Sequence, residues 1–369
     1  MPTMPAVEAA TAAPPACECD HVVVEDLFGF LRVLNDGTVL RAPDPVFCPT
    51  TFPDSHPSVQ WKEAIYDKPK NLRVRMYKPL FPSPAGAGSE ATTTGNKTKK
   101  LPVLVHFHGG GFCLGSCTWA NVHAFCLRLA AEARAVVLSA TYRLAPEHRL
   151  PAQLDDGAGF MRWLADQSSS SDSCWLADAA DLGRVFVTGD SAGGTIAHHL
   201  AVRAGSVPLA AHHHRPKPND DPVTVRGYVL LMPFFGGAVR TASEAECPAE
   251  VFLNLDLSDR FWRLSLPAGA TRDHPAANPF GPDSPPLRDV EFRPVLVVVG
   301  GHDMLRDRAV DYVDRLVAMG KPVELAEFTG EPHGFYTLEP GSKATGELIR
   351  VLSRFVDASS SSEAATTVV

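Results

Sequence analysis

Short apolar runs recur along the chain at intervals that suit buried β-strands. Several are continuous stretches of Val and Leu, such as residues 295–300, rather than alternations of apolar and polar positions. A continuous run is typical of a strand buried on both faces of a largely parallel sheet. The strands that this pattern predicts are residues 71–77, 101–107, 135–141, 184–188, 225–232, 295–300 and 323–328.

Helical spacing of apolar residues fills the intervals between these strands, at 119–133, 151–166, 192–204, 306–319 and 343–356. The alternation predicts βαβ crossovers, so we expect an α/β fold with a mostly parallel central sheet and helices on both faces. A chain of 369 residues can bury one large core. We therefore predict a single domain over residues 21–357, between a disordered tip at 1–20 and a disordered tail at 358–369.

One long segment, residues 234–289, interrupts the alternation and contains an amphipathic helical pattern around 256–265. Open α/β sheets bind ligands beyond the carboxyl ends of their strands, so an insertion at this place predicts a lid. Residues 24–57 are predicted to supply a second piece of the lid. The large apolar side chains of the two pieces that we expect to line a substrate pocket are Phe30, Phe252, Phe261 and Trp262.

Composition narrows the range of partners. The net charge is -8 and the basic cluster at residues 97–100 is short, which argues against a nucleic-acid partner. No apolar run reaches the roughly 18 residues of a bilayer span, so we expect no membrane partner. We expect the partner to be a small neutral molecule. The protein itself is expected to be a monomer or a homodimer. Residues 1–16 resemble neither a secretory signal nor a transit peptide, which predicts a cytoplasmic location, with the nucleus as a second candidate.

Two patterns suggest metal ligands but are incomplete. Cys17 and Cys19 form a C-x-C pair without a second pair of ligands, and the adjacent histidines at 212–214 have no carboxylate or Cys at ligand spacing. Eight cysteines are too few for a disulfide scaffold of this size. We interpret the cysteines as thiols and the histidines as part of a solvated loop, with zinc at the C-x-C pair as the alternative.

A G-x-S-x-G motif centred on Ser191 lies directly between the predicted strand 184–188 and the predicted helix 192–204. Its glycines allow a tight turn from strand to helix that exposes the Ser hydroxyl above the sheet. The helix N-terminus also favours developing negative charge. The motif therefore predicts a nucleophile at Ser191.

The His-Gly-Gly-Gly-Phe sequence at residues 108–112 follows another predicted strand. Three successive glycines cost backbone entropy, and an oxyanion hole explains that cost, because a chain without Cβ atoms can bring its N–H groups against a tetrahedral intermediate. The predicted donors are the N–H groups of Gly110, Gly111 and Ala192. A phosphate-binding loop is the competing interpretation, but neither a G-K-[ST] ending nor a G-x-G-x-x-G is present.

A Ser nucleophile needs a base, and the base needs an acceptor that fixes its tautomer. The order Ser, acid, His is met by Asp303, after strand 295–300, and by His333, after strand 323–328. Asp307, one helical turn beyond, is the alternative acid. Other histidines lie within predicted strands or helices, or in the glycine loop, where structural roles are expected: His106, His108, His198 and His199.

Together, the motifs at 108–112, 142–148, 189–194, 300–303 and 333–335 resemble the hormone-sensitive-lipase-like α/β-hydrolases, and among them the plant carboxylesterases. The resemblance extends over about residues 25–357. It implies a carboxylesterase with the triad Ser191, Asp303 and His333 and an oxyanion hole at Gly110, Gly111 and Ala192. It also implies a lid built from N-terminal helices and the insertion, and no metal or organic cofactor.

Residues 226–237 and 261–279 look most similar to the branch of plant carboxylesterases that hydrolyses strigolactone hormones. The resemblance also implies two alternatives. Gibberellin receptors share most of the motifs but lack the catalytic His, which is present here as His333. Some plant members catalyse elimination, and the triad alone does not separate that reaction from hydrolysis.

Overall fold

A computed structural model describes residues 21–42, 53–80, 100–167, 174–206 and 223–361. The chain divides near residue 43 into two compact units. The C-x-C pair and the histidines at 212–214 lie outside the described residues. In the described part of the chain, no helix has the length and apolar character of a membrane span.

Within residues 21–42, the first unit forms a small antiparallel sheet, whereas the family resemblance implies helices in the N-terminal segment. Its strands are β1 (Val23–Leu27), β2 (Leu31–Leu34) and β3 (Val39–Arg41). Phe28 and Gly29 both adopt positive φ in the tight β1–β2 connection, and Leu27 pairs with Leu31 across it. The sequence predicted one domain from residue 21 onward, whereas these strands form a compact unit of their own.

The second unit is built on an eight-stranded sheet, whose strands are β4 (Val59–Asp67), β5 (Leu72–Pro79), β6 (Leu101–Phe107), β7 (Val136–Ala140), β8 (Ala180–Asp190), β9 (Val225–Leu231), β10 (Val295–Gly300) and β11 (Val323–Phe328). Strand β5 pairs antiparallel with β4 on one side and with β7 on the other, and the six strands from β6 to β11 run parallel to one another. The order across the sheet is β11-β10-β9-β8-β6-β7-β5-β4. Every predicted strand is present, and β4 is additional.

Helices cover both faces of this sheet. The helices are α1 (Ala120–Ala133), α2 (Ala152–Asp166), α3 (Cys174–Ala179), α4 (Ala192–Gly205), α5 (Ala242–Ala245), α6 (Leu255–Ser265), α7 (Arg306–Ala318), α8 (Phe335–Leu338) and α9 (Lys343–Ser361). Leu104 of β6 belongs to the core shared with α1 and α9. Phe107 of the same strand faces the other way and packs edge-on against Phe160 of α2. The predicted α/β architecture is confirmed.

The insertion between β9 and β10 contains the predicted amphipathic helix as α6. The Asn254 side chain accepts a hydrogen bond from the Leu257 N–H and so caps its first turn. The buried face of α6 carries Phe261, Trp262 and Leu264. At the other end of the unit, α9 continues to Ser361, beyond residue 357, where the sequence predicted the domain to end.

Candidate active site

Loops that follow parallel strands meet at one edge of the main sheet, because the carboxyl ends of parallel strands lie together. The loops after β6, β8, β10 and β11 contain, in that order, the three glycines, Ser191, Asp303 and His333. A Cβ atom at Gly109 would lie only 3.2 Å from the Cβ of Ser191, so the glycine loop runs directly beside the Ser. The predicted site residues of different loops therefore share one edge of the sheet.

Ser191 stands on a strained turn between β8 and α4. Its φ of 53° and ψ of -115° are unfavourable for a residue with a side chain. Its N–H donates to the Leu231 carbonyl at 2.9 Å, which holds the turn against β9. A Cβ at Gly193 would lie 1.9 Å from the Phe107 carbonyl oxygen, and one at Gly189 would lie 2.2 Å from the Gly193 carbonyl oxygen. The turn can therefore be this tight only with glycine at both positions.

Asp303 and His333 form a buried hydrogen-bonded pair. The His333 Nδ1 donates to Asp303 Oδ2 at 2.7 Å, and Asp303 Oδ1 accepts the Leu305 N–H at 2.9 Å. The two loops are also joined through the His302 N–H, which donates to the Glu331 carbonyl at 3.1 Å. The Asp303 side chain is 1% exposed and that of His333 is 13% exposed. The pair fixes the imidazole with its proton on Nδ1 and leaves Nε2 as the basic nitrogen.

The pKa of His333 results from two opposing effects. Burial lowers the pKa, because it disfavours the imidazolium ion. The negative charge of Asp303 and its hydrogen bond raise the pKa, and the charge of Asp190 adds to them, so that the pKa lies above the ordinary value of 6.5. The site therefore stabilises a proton on His333, which a general base must hold for part of each reaction cycle.

The glycine loop adopts a conformation that other residues would not tolerate. Gly110 has a φ of 110° and Gly111 a φ of 59°. A Cβ at Gly110 would lie 2.3 Å from the Leu114 carbonyl oxygen, and one at Gly111 would lie 2.2 Å from Cγ of Phe261. The loop therefore presents its backbone rather than side chains, as an oxyanion hole requires.

His108 and Tyr142 support the glycine loop from below. Their rings stack with centroids 4.4 Å apart, the His108 Nδ1 donates to the Gly109 carbonyl at 2.8 Å, and the Tyr142 hydroxyl donates to the His108 carbonyl at 2.7 Å. Burial lowers the pKa of His108 to about 4, so this ring is neutral near pH 7. The expected structural role of His108 fits these contacts, whereas the contribution of Tyr142 was missed by the sequence analysis.

A second buried pair lies beneath the nucleophile. His106 Nε2 lies 3.1 Å from Asp190 Oδ1, and the His106 side chain is fully buried. Burial lowers the pKa of His106, but the surrounding groups, including Asp190, raise it overall. Asp190 immediately precedes Ser191, and its strand β8 is the hydrogen-bonded neighbour of the strand that carries His106. The contact results from the parallel pairing of these two strands, which the apolar pattern of the sequence does not specify.

The insertion is attached to the loop that carries Asp303. The Ser243 hydroxyl donates to the Met304 carbonyl at 2.8 Å, and the Ser243 N–H donates to Asp307 Oδ2 at 2.8 Å. Arg308 of α7 forms a nearly buried ion pair with Glu244 of α5. Asp307 therefore binds the insertion, while Asp303 binds His333.

The residues predicted to line a substrate pocket occupy different environments. Phe261 is buried and lies against Gly111 of the glycine loop. Trp262 is also buried and stacks on Phe234, with ring centroids 4.1 Å apart. Phe252 is 51% exposed. Phe30 lies in the β1–β2 connection of the first unit. Phe261 therefore lies against Gly111 of the glycine loop, and Trp262 lies near Phe112 at the end of that loop, with ring centroids 6.0 Å apart.

Comparison with known proteins identifies the fold family of the chain. The model of the alpha/beta hydrolase fold family matches residues 104–337. Probable carboxylesterase 6 of Arabidopsis thaliana is 36% identical over 300 residues, which cover 79% of each chain. The gibberellin receptor GID1B of the same plant is 38% identical over 79% of this chain and 76% of its own.

Among solved structures, an esterase of Pyrobaculum calidifontis superposes with a TM-score of 0.61 at 28% identity, covering 81% of this chain and 84% of its own. Enzymes and receptors thus share this architecture. The family model covers well over half of the chain and includes every loop of the site. The chain belongs to the α/β-hydrolase fold family, as a carboxylesterase-type hydrolase.

Proposed function

We propose that the chain hydrolyses small to medium-sized hydrophobic carboxylic esters through an acyl-enzyme on Ser191. The observation that carries the proposal is the 2.7 Å hydrogen bond between His333 and Asp303. This pair lies at the same end of the parallel strands as the turn that carries Ser191. A binding protein would have no need to bury a carboxylate in order to orient an imidazole.

In the proposed reaction, Ser191 Oγ attacks the ester carbonyl carbon while its proton passes to His333 Nε2. Asp303 holds the ring and stabilises the imidazolium ion. The N–H groups of Gly110, Gly111 and Ala192 stabilise the negative charge on the carbonyl oxygen. His333 then protonates the departing alcohol, and a water molecule, deprotonated by the same ring, releases the acid.

Activity should rise with pH through the titration of His333, because only the neutral imidazole can accept the Ser191 proton. Burial lowers the pKa of His333, but the charge and hydrogen bond of Asp303 raise this pKa by more than burial lowers it. The midpoint of kcat/KM should therefore lie above 6.5. The measurement is a pH profile with p-nitrophenyl acetate. In Asp303→Asn the raising charge is gone, so residual activity should have a lower midpoint. An unchanged midpoint in that variant would contradict the assigned pair.

For the natural substrate we propose a strigolactone. Its support is the resemblance of residues 226–237 and 261–279 to strigolactone-hydrolysing enzymes, together with apolar side chains of the insertion, such as Phe261, near the glycine loop. Burial of the carbon surface of a tricyclic lactone would contribute about 25 cal/mol per Å² before binding costs are subtracted. Attack by Ser191 on the butenolide carbonyl would open that ring and release the tricyclic part.

The test is mass spectrometry of products after incubation with a strigolactone and, in parallel, with p-nitrophenyl acetate. We expect both to be consumed and the tricyclic part of the strigolactone to appear. Consumption of p-nitrophenyl acetate beside intact strigolactone would reject the hormone and leave a general carboxylesterase.

The second candidate function is a hormone receptor without turnover, which the similarity to gibberellin receptor GID1B favours. The two functions differ in one readout. A receptor would bind its ligand saturably and return it unchanged, whereas an esterase would show a burst of alcohol release followed by steady turnover. The presence of His333 beside Asp303 supports the esterase.

A further inference from the structure

A cavity separate from the proposed ester site opens beside the C-terminal half of α6. Its volume is about 540 Å³, within the range of small-molecule sites. Ser191, Asp303 and His333 are not among its lining residues. The wall is formed by Arg149, Ala238, Arg240, Asp259, Trp262, Arg263, Leu266, Pro267, Ala268, Gly269, Ala270, Thr271 and Arg272.

The wall of this cavity is strongly basic in a chain whose net charge is -8. Four guanidinium groups line it, from Arg149, Arg240, Arg263 and Arg272, against the single carboxylate of Asp259. They come from three distant parts of the sequence, so the fold assembles the cluster. Guanidinium groups bind carboxylates and phosphates in bidentate geometry, which makes oxyanions the ligands that this wall would select.

Several of these arginines are held in place by the protein. Asp259 accepts from Arg240 through one oxygen and from Arg272 Nη1 at 2.9 Å through the other. Arg149 Nη1 donates to the carbonyls of Arg263 at 2.8 Å and Leu266 at 2.6 Å. Less side-chain entropy is lost on binding when the guanidinium groups are already ordered.

One donor of the cluster has no acceptor. Arg240 Nη1 is buried and forms no hydrogen bond within the described residues. Burying a donor without a partner is costly, and most such groups are satisfied in folded proteins. After a shift of the Arg240 side chain toward the cavity, a bound anionic oxygen would supply the acceptor.

The wall also has an apolar side, which includes Trp262, Leu266 and Pro267. The volume is much larger than a single phosphate or sulfate ion needs. From the basic and apolar sides together, we infer that this cavity binds a small organic oxyanion, with its phosphate or carboxylate group on the arginines and its carbon skeleton against the apolar side.

The test is isothermal titration calorimetry of the full chain with phenyl phosphate, benzoate and, as the neutral control, benzyl alcohol. We expect one-to-one binding of at least one anion and none of the alcohol. Binding of phenyl phosphate alone assigns a phosphate ligand, and binding of benzoate alone assigns a carboxylate ligand. Trp262 lines the cavity, so its fluorescence should change on binding.

Arg240→Gln should weaken binding about tenfold or more, the loss expected when a charge-assisted hydrogen bond is removed. Ala270→Asp adds a negative charge to the wall without touching an arginine and should weaken it as well. Arg350→Gln, on the exposed surface of α9, is the matched control and should bind normally.

Failure of both anions to bind at millimolar concentration would overturn the inference. So would unchanged binding in both cavity variants, with thermal denaturation confirming that they are folded. Because the readout is binding, either result leaves the proposed ester hydrolysis unaffected.

Discussion

Ser191→Ala is expected to abolish ester hydrolysis while leaving the protein folded. The Ser191 side chain makes no capping hydrogen bond to α4, so its hydroxyl is not needed to hold the turn. Loss of the nucleophile should lower kcat with p-nitrophenyl acetate by about 10⁴-fold or more and remove the burst of p-nitrophenol. Stopped-flow kinetics measures both quantities, and circular dichroism checks the fold.

A matched control is Ser353→Ala on α9, where the hydroxyl donates to the Ile349 carbonyl of the preceding turn. This variant should keep full activity. Full activity in Ser191→Ala would instead show that another group attacks the ester.

Asp303→Asn is expected to lower kcat by about 10⁴-fold with little change in stability. The amide oxygen can still accept the Leu305 N–H that Asp303 Oδ1 now accepts, so the loop should keep its shape. The amide group can, however, donate to His333 Nδ1, which would place the ring proton on Nε2 and prevent that nitrogen from accepting the Ser191 proton.

Asp307→Asn is the control for this prediction, because Asp307 lies on the same chain segment and accepts from the Ser243 N–H rather than from His333. We expect it to retain nearly normal kcat. A silent Asp303→Asn beside a damaging Asp307→Asn would make Asp307 the orienting acid.

The central strands could be predicted because burial on both faces leaves a continuous apolar signal. All six residues of β10, for example, are buried. Strand β4 lies at the end of the sheet and has only two buried positions among nine, so polar residues such as Lys62 and Glu63 interrupt its apolar pattern. Edge position, rather than unusual local conformation, explains why the pattern failed there.

For the N-terminal segment the family resemblance implies helices, whereas the local sequence favours strands. Val22, Val23 and Val24 are β-branched, and Gly29 and Gly37 provide positive φ at the two turns of the meander. The valine run and the two turn glycines therefore predict this antiparallel sheet better than the resemblance does.

In the site, the residues found from the sequence belong to motifs whose members are adjacent in the chain or follow a fixed order. The contacts that support these residues do not belong to such motifs. His106 and Asp190 meet only because β6 and β8 are neighbours, and Tyr142 reaches the His108 carbonyl from the loop after β7. Such contacts depend on strand order, which the apolar pattern does not specify.

The most direct test of the account is covalent labelling with an alkyl fluorophosphonate, followed by intact-mass measurement and peptide mapping. The phosphonate reacts with a Ser hydroxyl only where a base takes its proton and N–H groups bind its oxygen. We expect one adduct per chain, on the peptide that contains Ser191, and none in Ser191→Ala. An unlabelled wild-type protein, or an adduct at another residue, would contradict it.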